Sequence, residues 1–386
     1  MKKKFLTLTL AFVLVFMSLI AGGQIFEVNA TERVFSNNCR AYVLMDKDSG
    51  SVLVEEKATE QMPVASIVKL MTILLTLEEI DAGNLSIDDK VAVSGNASGM
   101  GGSQIFLDAN TEYEVGNLLK SVIVCSANDS SVALAEHIAG SEELFVEKMN
   151  KRAKELKMDN TNYENATGLP SPNQYSCAID VAKVLTEVLD YELYHEYSKI
   201  WLEDFVHPSG RTTEMTNTNK LIRFYDGCIG GKTGSTNEAK YCLGAGATRN
   251  GMTLVSVVLG SENSKERFDN VRELFNYGFA NYSNNPLFSN ENLKDTKIKM
   301  QGQDKFATIE CVRNSSIVTK KGEKVQVEYN YNLPSSLVSV EKGETIGYVE
   351  IIVDGKLYDT IDLISTETIN EPSYLDYIKR IEEDFV

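Results

Sequence analysis

Between residues 41 and 77 the hydrophobic positions change their repeat from two residues to three or four, so the chain opens as strand and continues as helix. Apolar residues alternate over 41–45 and 51–55 around Asp46-Lys47-Asp48-Ser49-Gly50, which predicts a β-hairpin with turn chemistry at its centre. Past Pro63, the positions Ile67, Leu70, Met71, Leu74, Leu75 and Leu77 fall on one helical face that ends by Gly83. The same repeat predicts helices over 117–124, 131–138, 142–156 and 179–189. Residues 99–102 are a flexible polar stretch, and 160–174 is rich in Asn, Thr, Pro and Gly, which marks a long loop.

From Gly227 the period returns to two. Strands over 241–247 and 252–259 flank Arg249-Asn250-Gly251, where Asn-Gly is a strong hairpin signal. Ser264 is placed to cap a helix carrying Phe268, Val271, Leu274 and Phe275 on one face. Residues 282–292 then turn polar around Pro286, and only strand patterns follow, over 297–300, 307–312, 325–333, 345–353 and 356–361. Asp354-Gly355 is expected to close a two-residue hairpin between the last two. The pattern therefore divides the chain into a leader (1–30), an α/β domain (31–284), a small all-β domain (285–368) and a tail (369–386).

The leader is a different kind of polymer. Lys2, Lys3 and Lys4 precede an apolar run, and Val28-Asn29-Ala30 places small residues where a signal peptidase cuts, so maturation is expected near Thr31. An uncleaved membrane helix is the alternative for a run of this length, and either way the rest of the chain is exported. In the tail, residues 373–386 form an amphipathic helical pattern with Tyr374, Leu375, Tyr377, Ile378, Ile381 and Phe385 on its apolar side. Weak membrane-surface contact is one role for it. Against this, Asp376, Glu382, Glu383 and Asp384 outnumber Lys379 and Arg380, which favours a packed or frayed terminus over docking on anionic lipid.

Composition narrows the chemistry. With 386 residues there is room for two cores, and a net charge of −17 with no basic tract excludes nucleic acid as a partner. The six cysteines show no C-x-x-C pair and read as buried thiols, although Cys125 and Cys228 lie close to the motifs below and give thiol reagents a way to inhibit. His137, His195 and His207 have no ligand-like spacing, so neither a metal nor another cofactor is expected.

Three motifs carry the candidate chemistry: Ser66-Ile67-Val68-Lys69, Ser126-Ala127-Asn128 and Lys232-Thr233-Gly234. Ser66 at a helix start faces unsatisfied N–H groups and the positive end of the helix dipole, and Lys69, three residues on, shares its face. A lysine can activate a serine only if burial and a neighbouring cation lower its pKa; Lys232 is the candidate cation. Ser126 can relay a proton to a leaving amine, and Asn128 can hold a substrate amide. Lys232-Thr233-Gly234 opens a strand against which a peptide can lie, with Thr233 and Lys232 meeting a terminal carboxylate and Gly234 removing an obstructing side chain. The N–H groups of Ser66 and Ser235 would form an oxyanion hole. Each motif alone is more often a helix cap or a turn; their coincidence in this order points to serine acyl transfer without histidine.

These segments resemble the low-molecular-mass penicillin-binding proteins that act as D-alanyl-D-alanine carboxypeptidases. The resemblance runs over Pro63 to Thr72, Ser126 to Asp129, Asp226 to Thr236, the lead-in Asp48-Ser49-Gly50-Ser51, the helix from Ala133 to Ser141, and Asn217 to Leu221. It implies a transpeptidase/β-lactamase-like catalytic domain, a mostly antiparallel sheet with helices on both faces, followed by a β domain. It also implies removal of the terminal D-alanine from the peptidoglycan stem pentapeptide through a Ser66 acyl-enzyme, and acylation by β-lactams. Arg267 falls where the family carries an arginine tied to carboxylate recognition; a helix-surface salt bridge is the alternative. Gly230-Gly231 departs from the bulkier residue usual before the lysine and suggests a more mobile strand end.

Three rivals are weighed against it. A serine β-lactamase needs a deacylating glutamate, and Glu164 is the only acid in the relevant loop; the trailing β domain has no place in that reading. A catalytically idle wall-binding scaffold is opposed by the complete residue set. A Ser-His-Asp hydrolase is opposed by the absence of a G-x-S-x-G elbow.

Overall fold

The computed structural model describes residues 38–374 and Ile378. The expected leader with its cut near Thr31, and nearly all of the terminal helix, lie outside the described residues.

The opening hairpin forms as the pattern required: β1 (Ala41–Asp46) pairs antiparallel with β2 (Val52–Glu56). Three later strands, β3 (Cys228–Thr236), β4 (Lys240–Arg249) and β5 (Met252–Ser261), complete a five-stranded antiparallel sheet in the order β2-β1-β5-β4-β3. The β4–β5 turn pairs Arg249 with Met252, and Asn250 and Gly251 both adopt positive φ (51° and 77°), the conformation an Asn-Gly hairpin demands. Because β3 is last in the order, one of its edges is free.

The core explains why β5 reads as a continuous apolar run rather than an alternation: both faces of the sheet are covered. Val43, Val255 and Val257 join one buried cluster with α1 (Lys69–Asp81), α2 (Val115–Val124), α3 (Asn128–Ala139), α4 (Glu142–Glu155) and α5 (Ala178–Val188). On the opposite face Leu44 and Leu254 meet Gly278 of α6 (Ser264–Asn281), so close that a Cβ there would lie 2.5 Å from Leu254 Cδ1. The cap of α6 is Asn263 and not Ser264: the Asn263 side chain accepts from the backbone N–H groups of Lys265 and Glu266.

The polar stretch after α6 is not a loop. Tyr282–Phe288 forms a strand paired with Ser315–Lys320, with the register shifting between Pro286 and Phe288. That shift accommodates a proline in a ladder. Beyond it a six-stranded sheet, antiparallel but for one short parallel pair, packs Phe288, Val349, Ile351, Ile361 and Leu363 into a core of its own. Its hairpin closes through Asp354 and Gly355, both at positive φ, as expected.

Candidate active site

Ser66 lies in a 3-10 turn, Ala65–Val68, that runs directly into α1, and this puts it on one face with Lys69. Lys69 has no solvent exposure, and its Nζ lies 3.1 Å from Ser66 Oγ. Its other partner is the main-chain carbonyl of Thr167. Burial holds the Lys69 amine well below the usual lysine range, and the Lys232 charge pushes the same way; Asp129 opposes both.

Lys232 comes from β3, equally buried, and donates to Ser126 Oγ at 2.6 Å and to the Thr233 carbonyl at 3.2 Å. Burial is the main cause that pushes its amine down to about 7, with Arg267 adding to the effect. Ser126 reaches it from a left-handed backbone turn (φ 67°) ahead of α3, a conformation uncommon for serine. Asn128, at the start of α3, donates through Nδ2 to the Gly101 carbonyl at 2.6 Å, while its Oδ1 is buried with no partner. Thr233 is buried and Ser235 exposed at the mouth.

Gly234 is needed for close approach. A Cβ there would lie 2.5 Å from the Val64 carbonyl and 3.1 Å from Ser66 N, so the serine turn packs directly on β3. Gly168 presses on the same turn from the other side: it holds φ 79°, and a Cβ would sit 2.1 Å from the Ala65 carbonyl. Gly168→Ala should therefore cost at least about 2 kcal/mol, through both clash and backbone strain. A fall in melting temperature of roughly 5 °C or more is expected; an unchanged melting curve would show that the turn can yield.

The structure brings Ser66, Lys69, Ser126, Asn128, Lys232, Thr233 and Gly234 into one cleft. Arg267 stands behind it. Its guanidinium is buried against the rings of Tyr241 and Phe268 and donates to the Gly234 carbonyl at 3.2 Å, so the surface salt bridge is not formed. Gly230-Gly231 is also not loose: a Cβ on Gly230 would meet Tyr194 at 2.6 Å, and Tyr194 Oη accepts from Gly231 N at 2.9 Å.

Several contributors escaped sequence reasoning. The Asn165 side chain makes four hydrogen bonds that shape the loop carrying Thr167: Oδ1 accepts from Thr167 N, Thr167 Oγ1 and Gly168 N, and Nδ2 donates to the Leu169 carbonyl. Asp129 accepts from the N–H groups of Ile105 and Leu107, fixing the segment whose Gly101 carbonyl anchors Asn128. Asparagine in a polar loop and an acid in the first turn of a helix are too common to flag such roles.

The rivals lose their key residues. The Glu164 carboxylate accepts from Ser171 Oγ and from Asn173 N and Nδ2, which commits it to its own loop. His207 bonds Tyr113 and Thr213, and His195 bonds the carbonyls of Leu189 and Ile229; among the described residues neither reaches Ser66. All six cysteines are free thiols. Burial pushes Cys125 up to about 12 and Cys228 up to about 11, so neither is a thiolate at neutral pH.

A family model described as D-alanyl-D-alanine carboxypeptidase matches residues 27–263, and one described as penicillin-binding protein 5, C-terminal domain, matches residues 282–371. The D-alanyl-D-alanine carboxypeptidase DacF of Bacillus subtilis is 36% identical over 356 residues, covering 91% of this chain and 90% of that protein. The D-alanyl-D-alanine carboxypeptidase DacC of Escherichia coli is 30% identical over 358 residues, covering 90% of this chain and 88% of that protein. Among solved structures, penicillin binding protein 5 from Haemophilus influenzae matches with a TM-score of 0.69 at 30% identity, covering 87% of this chain and 99% of that one.

Proposed function

Because the chain belongs to the D-alanyl-D-alanine carboxypeptidase family and is a serine-type D-Ala-D-Ala carboxypeptidase, we propose that Ser66 is its nucleophile, Lys69 the base, and the peptidoglycan stem pentapeptide its substrate. The observation that carries this assignment is the Lys69 amine, fully buried and 3.1 Å from Ser66 Oγ, where burial favours the neutral form that can take the hydroxyl proton.

Ser66 Oγ attacks the carbonyl joining the two terminal D-alanines and passes its proton to Lys69. The oxyanion is held by the N–H groups of Ser66 and Ser235. The tetrahedral species collapses as Ser126, bonded to Lys232, relays to the departing D-alanine amine the proton that Lys69 took, which leaves Ser126 protonated and Lys69 a free base again. Water, deprotonated by Lys69, then releases the shortened peptide. Asn128 Oδ1, buried and unpaired, accepts a substrate N–H. Thr233 and Lys232 take the terminal carboxylate, and Arg267 reinforces their positive field from behind β3.

The leader pattern over 1–30 supports export, with the enzyme acting outside the cytoplasmic membrane beside its substrate. Among the described residues no helix is long and apolar enough to cross a membrane.

D-Alanine should be released from diacetyl-L-lysyl-D-alanyl-D-alanine. Penicillin should leave a persistent adduct that mass spectrometry locates on the peptide containing Ser66. An adduct that turns over within seconds would instead favour the β-lactamase reading.

A further inference from the structure

We propose that Tyr194 is a specificity-determining residue: with the segment 217–219 it walls off the leaving-group end of the cleft, so that one terminal residue fits there and a longer leaving group does not. The proposal rests on the reading of Ser66 as nucleophile and of Lys232 and Thr233 as the seat of the terminal carboxylate.

No strand pairs with the outer edge of β3, yet the helix Glu192–Ser198 covers the first half of that edge. Ser198 Oγ donates to the Ile229 carbonyl at 3.0 Å. Tyr194 Oη accepts from Gly231 N at 2.9 Å and donates to the Gly231 carbonyl at 3.3 Å. One hydroxyl therefore takes both polar groups that Gly231 turns to this edge. Alternate residues of a strand present their N–H and C=O to the same side, so the next positions are Thr233 and Ser235. Gly230 and Gly231 are buried and Ser235 is exposed, which puts the start of the open edge at Thr233.

The wall continues across the cleft to the Ser126 side. Thr218 N donates to the Val124 carbonyl at 3.0 Å, two residues ahead of Ser126. Asn217 Nδ2 donates to the carbonyls of Ser198 and Ile200 at 2.9 and 2.8 Å, tying the segment to the end of the covering helix. Asn217 and Asn219 are both buried, and Tyr194 has no exposure at all, so the ring has no room to swing aside. The two glycines before Lys232 are what admit it, since a Cβ on Gly230 would lie 2.6 Å from Tyr194 Cε1.

A substrate strand advances about 3.3 Å per residue along this edge. With the scissile carbonyl on Ser235 N, the departing residue lies opposite Thr233 and its carboxylate ends there. One residue more would fall opposite Gly231, where the hydrogen-bonding groups are taken and a packed ring stands. Seating it means displacing a buried side chain and leaving buried polar groups unpaired. This penalty depends on length and is separate from the loss of a carboxylate contact.

The test removes the carboxylate from both members of a pair. Diacetyl-L-lysyl-D-alanyl-D-lactamide and diacetyl-L-lysyl-D-alanyl-D-lactyl-glycinamide are uncharged at the leaving end and differ there only in length; each carries an ester at the scissile position, because an alcohol departs more readily than an amine. The wild type should turn over the shorter ester with a kcat/KM at least about tenfold higher, the effect of forcing one residue into a packed wall. In Tyr194→Leu, which removes the hydroxyl and the tip of the ring, that ratio should fall at least about fivefold. A purely structural Tyr194 would slow both esters alike and leave the ratio in place. Equal wild-type rates, or turnover of neither ester, would show that the carboxylate alone sets the specificity and overturn the wall. A folded Tyr194→Leu with an unchanged ratio overturns the assignment of Tyr194, and if that variant does not fold the wild-type pair still decides. Failure of the wild type to release D-alanine from diacetyl-L-lysyl-D-alanyl-D-alanine would instead sink the carboxypeptidase chemistry beneath the proposal.

Discussion

Ser66→Ala should abolish D-alanine release, with a loss of at least about 10⁴-fold, because a nucleophile and its base act as one unit and removing either removes the covalent route. The penicillin adduct should vanish with it. No neighbour can substitute: Ser126 is bonded to Lys232 and not to the Lys69 base, and burial keeps the Cys125 thiol protonated. Ser66 is half-buried and its Oγ has a single side-chain partner, so the variant should fold and melt close to the wild type. Equal rates for the variant and the wild type would overturn the assignment of Ser66.

Lys69→Arg should be nearly as damaging, about 10³-fold or more, the scale of a lost general base. Arginine keeps the charge but cannot lose its proton in the accessible range. It must also fit a planar guanidinium into a site with no exposure, against the Thr167 carbonyl. An active arginine variant would rule out proton transfer to residue 69. The wild-type pH profile follows from the same groups. Burial lowers both lysines; the Lys232 charge lowers Lys69 further, and Arg267 lowers Lys232. Activity should rise with pH as Lys69 becomes free base, and fall on the alkaline side once Lys232, lowered to about 7 in the free enzyme and held up by a bound carboxylate, loses its proton. Stability carries its own sign. The unfolded chain keeps both lysines protonated up to about pH 10.4, while burial in the folded chain favours losing those protons, Lys232 from about pH 7. Folding should therefore strengthen as pH rises from about 7 toward that value, and a melting-temperature series against pH measures it.

How much of this was legible depended on how local each cause is. The Ser66–Lys69 pairing was readable because a three-residue spacing on a helix start fixes it without help from the rest of the chain. The Asn250-Gly251 and Asp354-Gly355 turns were readable for the same reason, since their backbone angles are a property of those residues. The strand at Tyr282–Phe288 was missed because its polar sequence gains strand structure only by pairing with Ser315–Lys320. Arg267 was placed in the right region, yet its burial behind Gly234 has no counterpart in helical periodicity.

The sequence by itself determined the order of motifs, the hairpins and helices that carry them, and the kind of chemistry those side chains permit. What only the tertiary structure decided is which groups meet. The Thr167 carbonyl reaches Lys69 across 98 positions, and Lys232 reaches Ser126 across 106. Those contacts put two amines in a dry interior, and burial, not residue type, is what lowers a lysine into the range where it can act as a base. Desolvation is a property of packing, and a linear pattern of residues does not contain it.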